Sequence, residues 1–289
     1  MSAAIDVQPR LPALPLEEWE PTNDTLHLWA QIVGKVRMAS TTPRNHWWHV
    51  PLYVDVRGLT TRRIHSPRGV TFQIDFDFVE HRLVVKTNQG AVESFELRHG
   101  LSVAAPADVE HATYDRDAVE RFWRILDWTD EVLEEFAGWY CGKTSPVHLF
   151  WHGFDLAVTR FGGGRAPTLP DIDSVNREAY SHEVVSFGFW AGDPSVREAT
   201  YYSYTAPEPS ALRAQALRPD DARWVEYGGG SLAMLPYDVV RTARDPRAAL
   251  LAFLESAYQA GAGLAGWDRA ELESAWCPAP PELSDLLAG

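Results

Sequence analysis

Between Thr22 and Ala39, apolar residues recur at Leu26, Leu28, Trp29, Ile32, Val33 and Val36, the spacing of one helix face. Thr22, Asn23, Asp24 or Thr25 offers the cap such a helix needs. The period then changes. Val50, Leu52, Val54 and Val56 alternate with Pro51, Tyr53, Asp55 and Arg57, which predicts a strand with the valine–leucine face buried. Phe72, Ile74, Phe76 and Phe78 repeat the alternation. Asp75 and Asp77 fall on the opposite face, where a solvated pair is the simplest reading. Residues 81–97 predict a hairpin about Asn88-Gln89-Gly90.

The pattern then runs again. A second amphipathic helix is predicted from Asp117 to Gly138, with Val119, Phe122, Trp123, Leu126, Val132, Leu133 and Phe136 as its stripe. Strand-like runs follow at 147–161, 183–190, 199–205 and 231–235, separated by Gly/Pro/Asp-rich loops at 162–176 and 206–222. A last helix is predicted over 245–261. This order specifies an α+β fold of two similar helix-plus-antiparallel-sheet halves. The expected division is an irregular arm at 1–18, halves at 19–110 and 111–275, and a tail at 276–289, with the joint near 100–117. Pro43, Trp48, His49 and Arg57 match Pro146, Trp151, His152 and Arg160 at one constant offset, which points to a divergent internal duplication.

Composition narrows the function classes. The chain has 289 residues, 45% of them hydrophobic and 23% charged, an ordinary globular balance. A net charge of −14 repels phosphate backbones and anionic lipid heads, so neither nucleic acid nor a membrane is an expected partner. Two cysteines, Cys141 and Cys277, in dissimilar contexts, fit a reducing compartment and provide no disulfide framework. No apolar run is long enough to span a bilayer and no secretion signal is evident, so the cytoplasm is the expected location. Twelve tryptophans imply an aromatic core, an aromatic-lined cleft, or both.

Several phrases, among them "TLHLWAQIVGKVRMA", "NHWWHVPLYVDVRGLTT", "SPVHLFWHGFDLAVTRFGG" and "EAYSHEVVSFGFW", resemble the bacterial domain-of-unknown-function family numbered 5996. The similarity extends over roughly residues 15–275. The resemblance implies no assigned activity. Compared with that family, the segment after the first set of strands is shortened here.

Candidate chemistry centres on the predicted strand ends. His49 and His152 begin equivalent strands and His182-Glu183 begins another. If these ends converge, His49, His152, His182 and Glu183 form a histidine–carboxylate site for zinc, iron or manganese. The same residues act as general acids or bases in a metal-free site, and histidines beside tryptophans also serve simply as packing residues. Arg160, ending an apolar face, is either an anion clamp or a structural cation. Trp48, Trp151, Tyr180, Tyr202 and Tyr204 are the expected substrate-contacting aromatics. "FGGGRAP" lacks the order of a phosphate loop and predicts a turn, and no Gly-x-Ser-x-Gly elbow occurs. Three functions follow: an enzyme acting on a small molecule bound between the halves, a non-catalytic aromatic-groove binder, or a homo-oligomeric interaction protein. The oligomeric state is left open.

Overall fold

The structure, a computed structural model, describes residues 11–66, 69–101, 112–167 and 173–274. Cys277 and much of the shortened segment near residue 105 lie outside the described residues. Helix α1 (Leu16–Ser40) starts upstream of the predicted Thr22 and runs through Pro21. The Thr22–Thr25 run does not cap it. Thr25 Oγ1 donates back to the Pro21 carbonyl at 2.9 Å, and Thr22 Oγ1 accepts the Asp115 N–H at 3.1 Å. Asp115 in turn caps α2 (Arg116–Gly138), accepting from the amides of Asp117 and Ala118. Thr22, Asn23 and Thr25 are therefore buried where one helix positions the start of the next.

The first half contains β1 (Tyr53–Asp55), β2 (Gly58–Thr60), β3 (Ile64–His65), β4 (Thr71–Asp77), β5 (Arg82–Thr87) and β6 (Val92–Glu96). They form an antiparallel sheet in the order β1-β2-β4-β5-β6, with β3 beside β4. The second half contains β7 (His148–Phe150), β8 (Asp155–Arg165), α3 (Ser174–Ala179), β9 (His182–Trp190), β10 (Thr200–Ala206), β11 (Arg223–Tyr227) and β12 (Gly230–Pro236). Its sheet runs β7-β8-β9-β10-β12-β11. Helices α4 (Tyr237–Thr242), α5 (Pro246–Leu264) and α6 (Arg269–Leu272) are the last of the described elements. The fold is thus α+β with two antiparallel sheets, each accompanied by helices.

Local differences from the sequence pattern have physical causes. The first strand is short, and β1 turns at Val56-Arg57 into β2, so Val56 is 80% exposed while Tyr53 is buried. Asp75 is buried rather than solvated, because Thr60 Oγ1, Gln73 Nε2 and Lys86 Nζ all donate to it. The triple glycine continues β8 instead of forming a turn. At Gly162 a Cβ would lie 2.2 Å from the Trp267 ring, so glycine lets the indole close onto the strand.

The inner face of the second sheet carries Leu156, Val158, Arg160, Phe187 and Tyr201, and it packs on α2 and α5. Phe136 of α2 meets Phe187 edge-on at 4.9 Å. The two sheets join at their edges. Leu52 and Leu149 exchange backbone hydrogen bonds of 2.9 and 2.8 Å, setting β1 antiparallel to β7. One apolar core includes Leu52, Leu59 and Phe76 from the first half and Leu149, Leu156 and Phe187 from the second.

Each half is a helix followed by an antiparallel sheet, but the residue matches at constant offset are not structural equivalents. Trp48 and His49 precede β1, the edge strand, whereas Trp151 and His152 lie in the turn between β7 and β8. Arg57 is in the β1–β2 turn, paired with Asp77 at 2.7 Å, whereas Arg160 is in the middle of β8. The repetition is one of architecture.

Candidate functional site

The turn between α1 and β1 holds an unusual backbone. Residues Asn45–Trp47 form a 3-10 turn in which His46 and Trp47 have φ of 54° and 61°. Left-handed conformations at two successive bulky residues are costly and need support from surrounding structure. That support comes from α3. Trp47 Nε1 donates to the Val175 carbonyl at 3.1 Å, and the His46 amide donates to Glu178 Oε1 at 3.2 Å. On its other side, His46 Nε2 lies 2.6 Å from Lys143 Nζ.

The partners fix the His46 tautomer. Its Nδ1 lies 3.3 Å from the Ala179 carbonyl, which can only accept, so Nδ1 carries the proton and Nε2 accepts from the Lys143 ammonium. Burial first, and the Lys143 charge second, hold His46 below the ordinary histidine range. Burial also lowers Lys143, whose ammonium sits 4.6 Å from the Phe161 ring and 5.2 Å from Trp48. His182, at the start of β9, presents its ring edge-on to His46 at 5.6 Å. A neutral imidazole that accepts from an ammonium among the Trp48 and Phe161 rings can relay a proton passed on by that ammonium.

Phe161 and His182 belong to the outer face of the second sheet, which also carries Asp155, Thr159, Ser186, Gly188, Tyr202 and Tyr204. Tyr202 reaches across β9 to donate its hydroxyl to Asp155 on β8. Gly188 makes this crossing feasible, since a Cβ there would lie 2.6 Å from the Tyr202 ring. Tyr204 stacks on Tyr202 at 6.3 Å and 9°, and its hydroxyl lies 3.1 Å from that of Tyr180. Burial keeps both Tyr202 and Tyr204 well above the ordinary tyrosine range, so they remain neutral donors. The structure therefore gathers five expected residues, Trp48, His182, Tyr180, Tyr202 and Tyr204, on one face.

The others serve elsewhere. His49 is buried against Trp47 and accepts the Arg44 amide at Nδ1, 3.2 Å away. His152 is exposed in the β7–β8 turn, where its carbonyl lies 3.2 Å from His27 Nε2. Glu183 faces away from His182, accepts Trp267 Nε1 at 3.1 Å, and lines a shallow cleft with Thr205, Glu208 and Trp267. Trp151 packs over Gly34 of α1 and donates to the Val50 carbonyl at 3.1 Å. Among the described residues, no three His, Cys, Asp or Glu side chains come together as a metal requires. The predicted ligand set fails because His152 is in a turn and Glu183 follows His182 directly, which sends the two to opposite faces.

Arg160 is 1% exposed, donates to the Phe136 carbonyl and packs 3.6 Å from the Phe136 ring and 4.5 Å from Tyr258. Burial draws it down to about 10, with Glu255 the strongest compensating charge. It is a core cation and does not reach the outer face. Lys143, by contrast, has no sequence signal at all, since its partner His46 is 97 residues away.

Among the described residues, no helix is long and apolar enough to cross a membrane. No curated protein and no solved structure matches the chain. A family model does match, in two segments that meet within the predicted joint between the halves. By that match, over residues 11–108 and 106–274, the chain belongs to the family of unknown function DUF5996.

Proposed function

We propose that the protein is an enzyme acting on a small molecule at the outer face of the second sheet, with the His46–Lys143 pair as its proton-transfer group. The observation that carries this reading is the strained Asn45–Trp47 turn, which sets a neutral imidazole nitrogen 2.6 Å from an ammonium. Strain of this kind persists where function requires the geometry. His182 and Trp48 flank the pair, and Tyr180 and Tyr204 offer hydroxyls to a polar substrate. The net charge of −14 favours a small molecule over a polyanionic partner, and the cysteine usage suits a cytoplasmic setting.

The test is depletion of a compound from a fractionated small-molecule extract, followed by mass spectrometry. Wild-type protein should consume a species that Lys143→Met and His46→Gln consume about 100-fold more slowly. In parallel, the His46 imidazole should titrate below the ordinary histidine range in the wild type and rise in Lys143→Met, because the neighbouring charge is gone. Equal turnover by wild type and both variants would sink the proposal.

A second reading rests on the stacked Tyr202–Tyr204 pair with Tyr180, which suits an aromatic or sugar ring. It predicts saturable quenching of intrinsic fluorescence by a ligand that is never turned over.

A further inference from the structure

At the seam where β1 meets β7, positive groups gather with no carboxylate in ion-pair contact, although the Asp130 carboxyl of α2 is near enough to Arg62 to feel its charge. Arg37, in the last turn of α1, is 6% exposed; its Nε donates to the His49 carbonyl at 3.0 Å, but Nη1 has no partner. His148, on β7, is 1% exposed and its Nδ1 also has no partner. Both approach the Tyr53 ring, Arg37 at 5.5 Å and His148 edge-on at 6.4 Å. Arg62 lies over that same ring at 3.6 Å. Among the described residues, neither Arg37 nor Arg62 has a carboxylate within ion-pair distance, although Arg57, Arg116, Arg197 and Arg247 all do.

A buried guanidinium N–H without an acceptor gives up its hydration and gains no hydrogen bond in return. Asp130, though it feels the Arg62 charge, makes no ion pair with either arginine, and Arg37 Nη1 keeps no acceptor. Arginine donates only, so the missing partner must be an acceptor, and two guanidiniums around one point favour an anionic one. Burial first, then the Arg62 and Arg37 charges, draw His148 down to about 3, so the imidazole is neutral. Arg62 is exposed and opens one side of the cluster to solvent.

We infer that Arg37, Arg62 and His148 form a binding site for a small oxyanion, the carboxylate or phosphate group of a metabolite, beside the Tyr53 ring. This site stands apart from the His46–Lys143 pair and does not depend on the reading given to it. A phosphate or carboxylate oxygen enters past Arg62, accepts from the unpartnered Arg37 Nη1, and lies within reach of His148, while the remainder of the molecule stays on the open side.

Calorimetric titration of the full chain at low ionic strength, with inorganic phosphate and separately with succinate, tests this. The wild type should bind at least one of the two, and which one identifies the anion chemistry. Arg62→Met, an exposed change, should weaken that binding at least about tenfold. Arg63→Met, an equally exposed neighbour, should alter it less than about twofold. The His148 imidazole resonances should shift on titration of the wild type and stay still in Arg62→Met. Absence of binding to either anion at about 10 mM (a Kd weaker than which gives under 3 kcal/mol) overturns the inference. So does equal weakening by Arg62→Met and Arg63→Met, which would mark a diffuse field instead of a site.

Discussion

Asp130 sits in the middle of α2 with Asp127 and Glu134 nearby, and burial, with these two charges adding to it, raises its carboxyl to about 7. The folded protein therefore holds a proton that the unfolded chain releases above about pH 4. Its contribution to stability is fully present below the unfolded value of 3.8 and is lost as pH rises through about 7. Asp130→Asn keeps a neutral side chain at every pH. It should leave stability unchanged near pH 4 and raise it at pH 8 by on the order of 2 kcal/mol, read from urea midpoints. An equal gain at both values would show that the carboxylate is not the cause. Residue identity was a partial guide to the candidate site. Trp48, His182 and the three tyrosines could be picked out by type, because aromatic and imidazole groups concentrate where polar and apolar surfaces meet. Arg160 could not be assigned, since a strand position says which face a side chain takes but not what covers that face. Lys143 was invisible because its significance lies wholly in a contact with a distant turn.

Among the elements, α3 depends most on its own chemistry. None of its residues is buried, and its start is held by Asp173, whose side chain accepts from the amides of Val175 and Asn176. The contacts it returns are those that hold the His46 turn, through Val175, Glu178 and Ala179. Asp173→Ala should cost about 1 kcal/mol of local stability. With no core contact at stake, the global urea midpoint should stay put while amide exchange over 174–179 quickens about fivefold. The same variant should move the His46 ring resonances; a lowered global midpoint with unchanged local exchange would contradict this picture. Elements were legible from sequence in proportion to their length and periodicity. Both long helices and the β5–β6 hairpin follow their patterns, since a sustained apolar period leaves few alternatives. Helix α3 and strand β11 did not, because six and five residues of mixed polarity carry no period; α3 is set by the Asp173 cap and β11 by its pairing with β12.

At the scale of the molecule, the repeated helix-and-sheet order suggests two units, yet the packing makes one. The recurrence of Pro, Trp, His and Arg at constant spacing pointed to two halves through the wrong register, because the Trp-His pair precedes β1 in the first half and follows β7 in the second, a displacement of more than a whole strand. A shift of this size moves every matched side chain to a different place in its sheet. What joins the halves is the Leu52–Leu149 hydrogen-bonded pair and a core drawing on both sides of it. Leu52 and Leu149 are each 0% exposed. Neither half can lose its packing without exposing the other's edge strand and apolar face, so heat should unfold the chain in one cooperative transition. Leu149→Ala removes packing at the seam and should lower stability by about 2–5 kcal/mol. Calorimetry should then show the single peak moving down intact, with the calorimetric and van't Hoff enthalpies still in agreement. Two peaks, of which Leu149→Ala shifts one alone, would mean that the seam is a contact between independent domains and that the shared core does not govern folding.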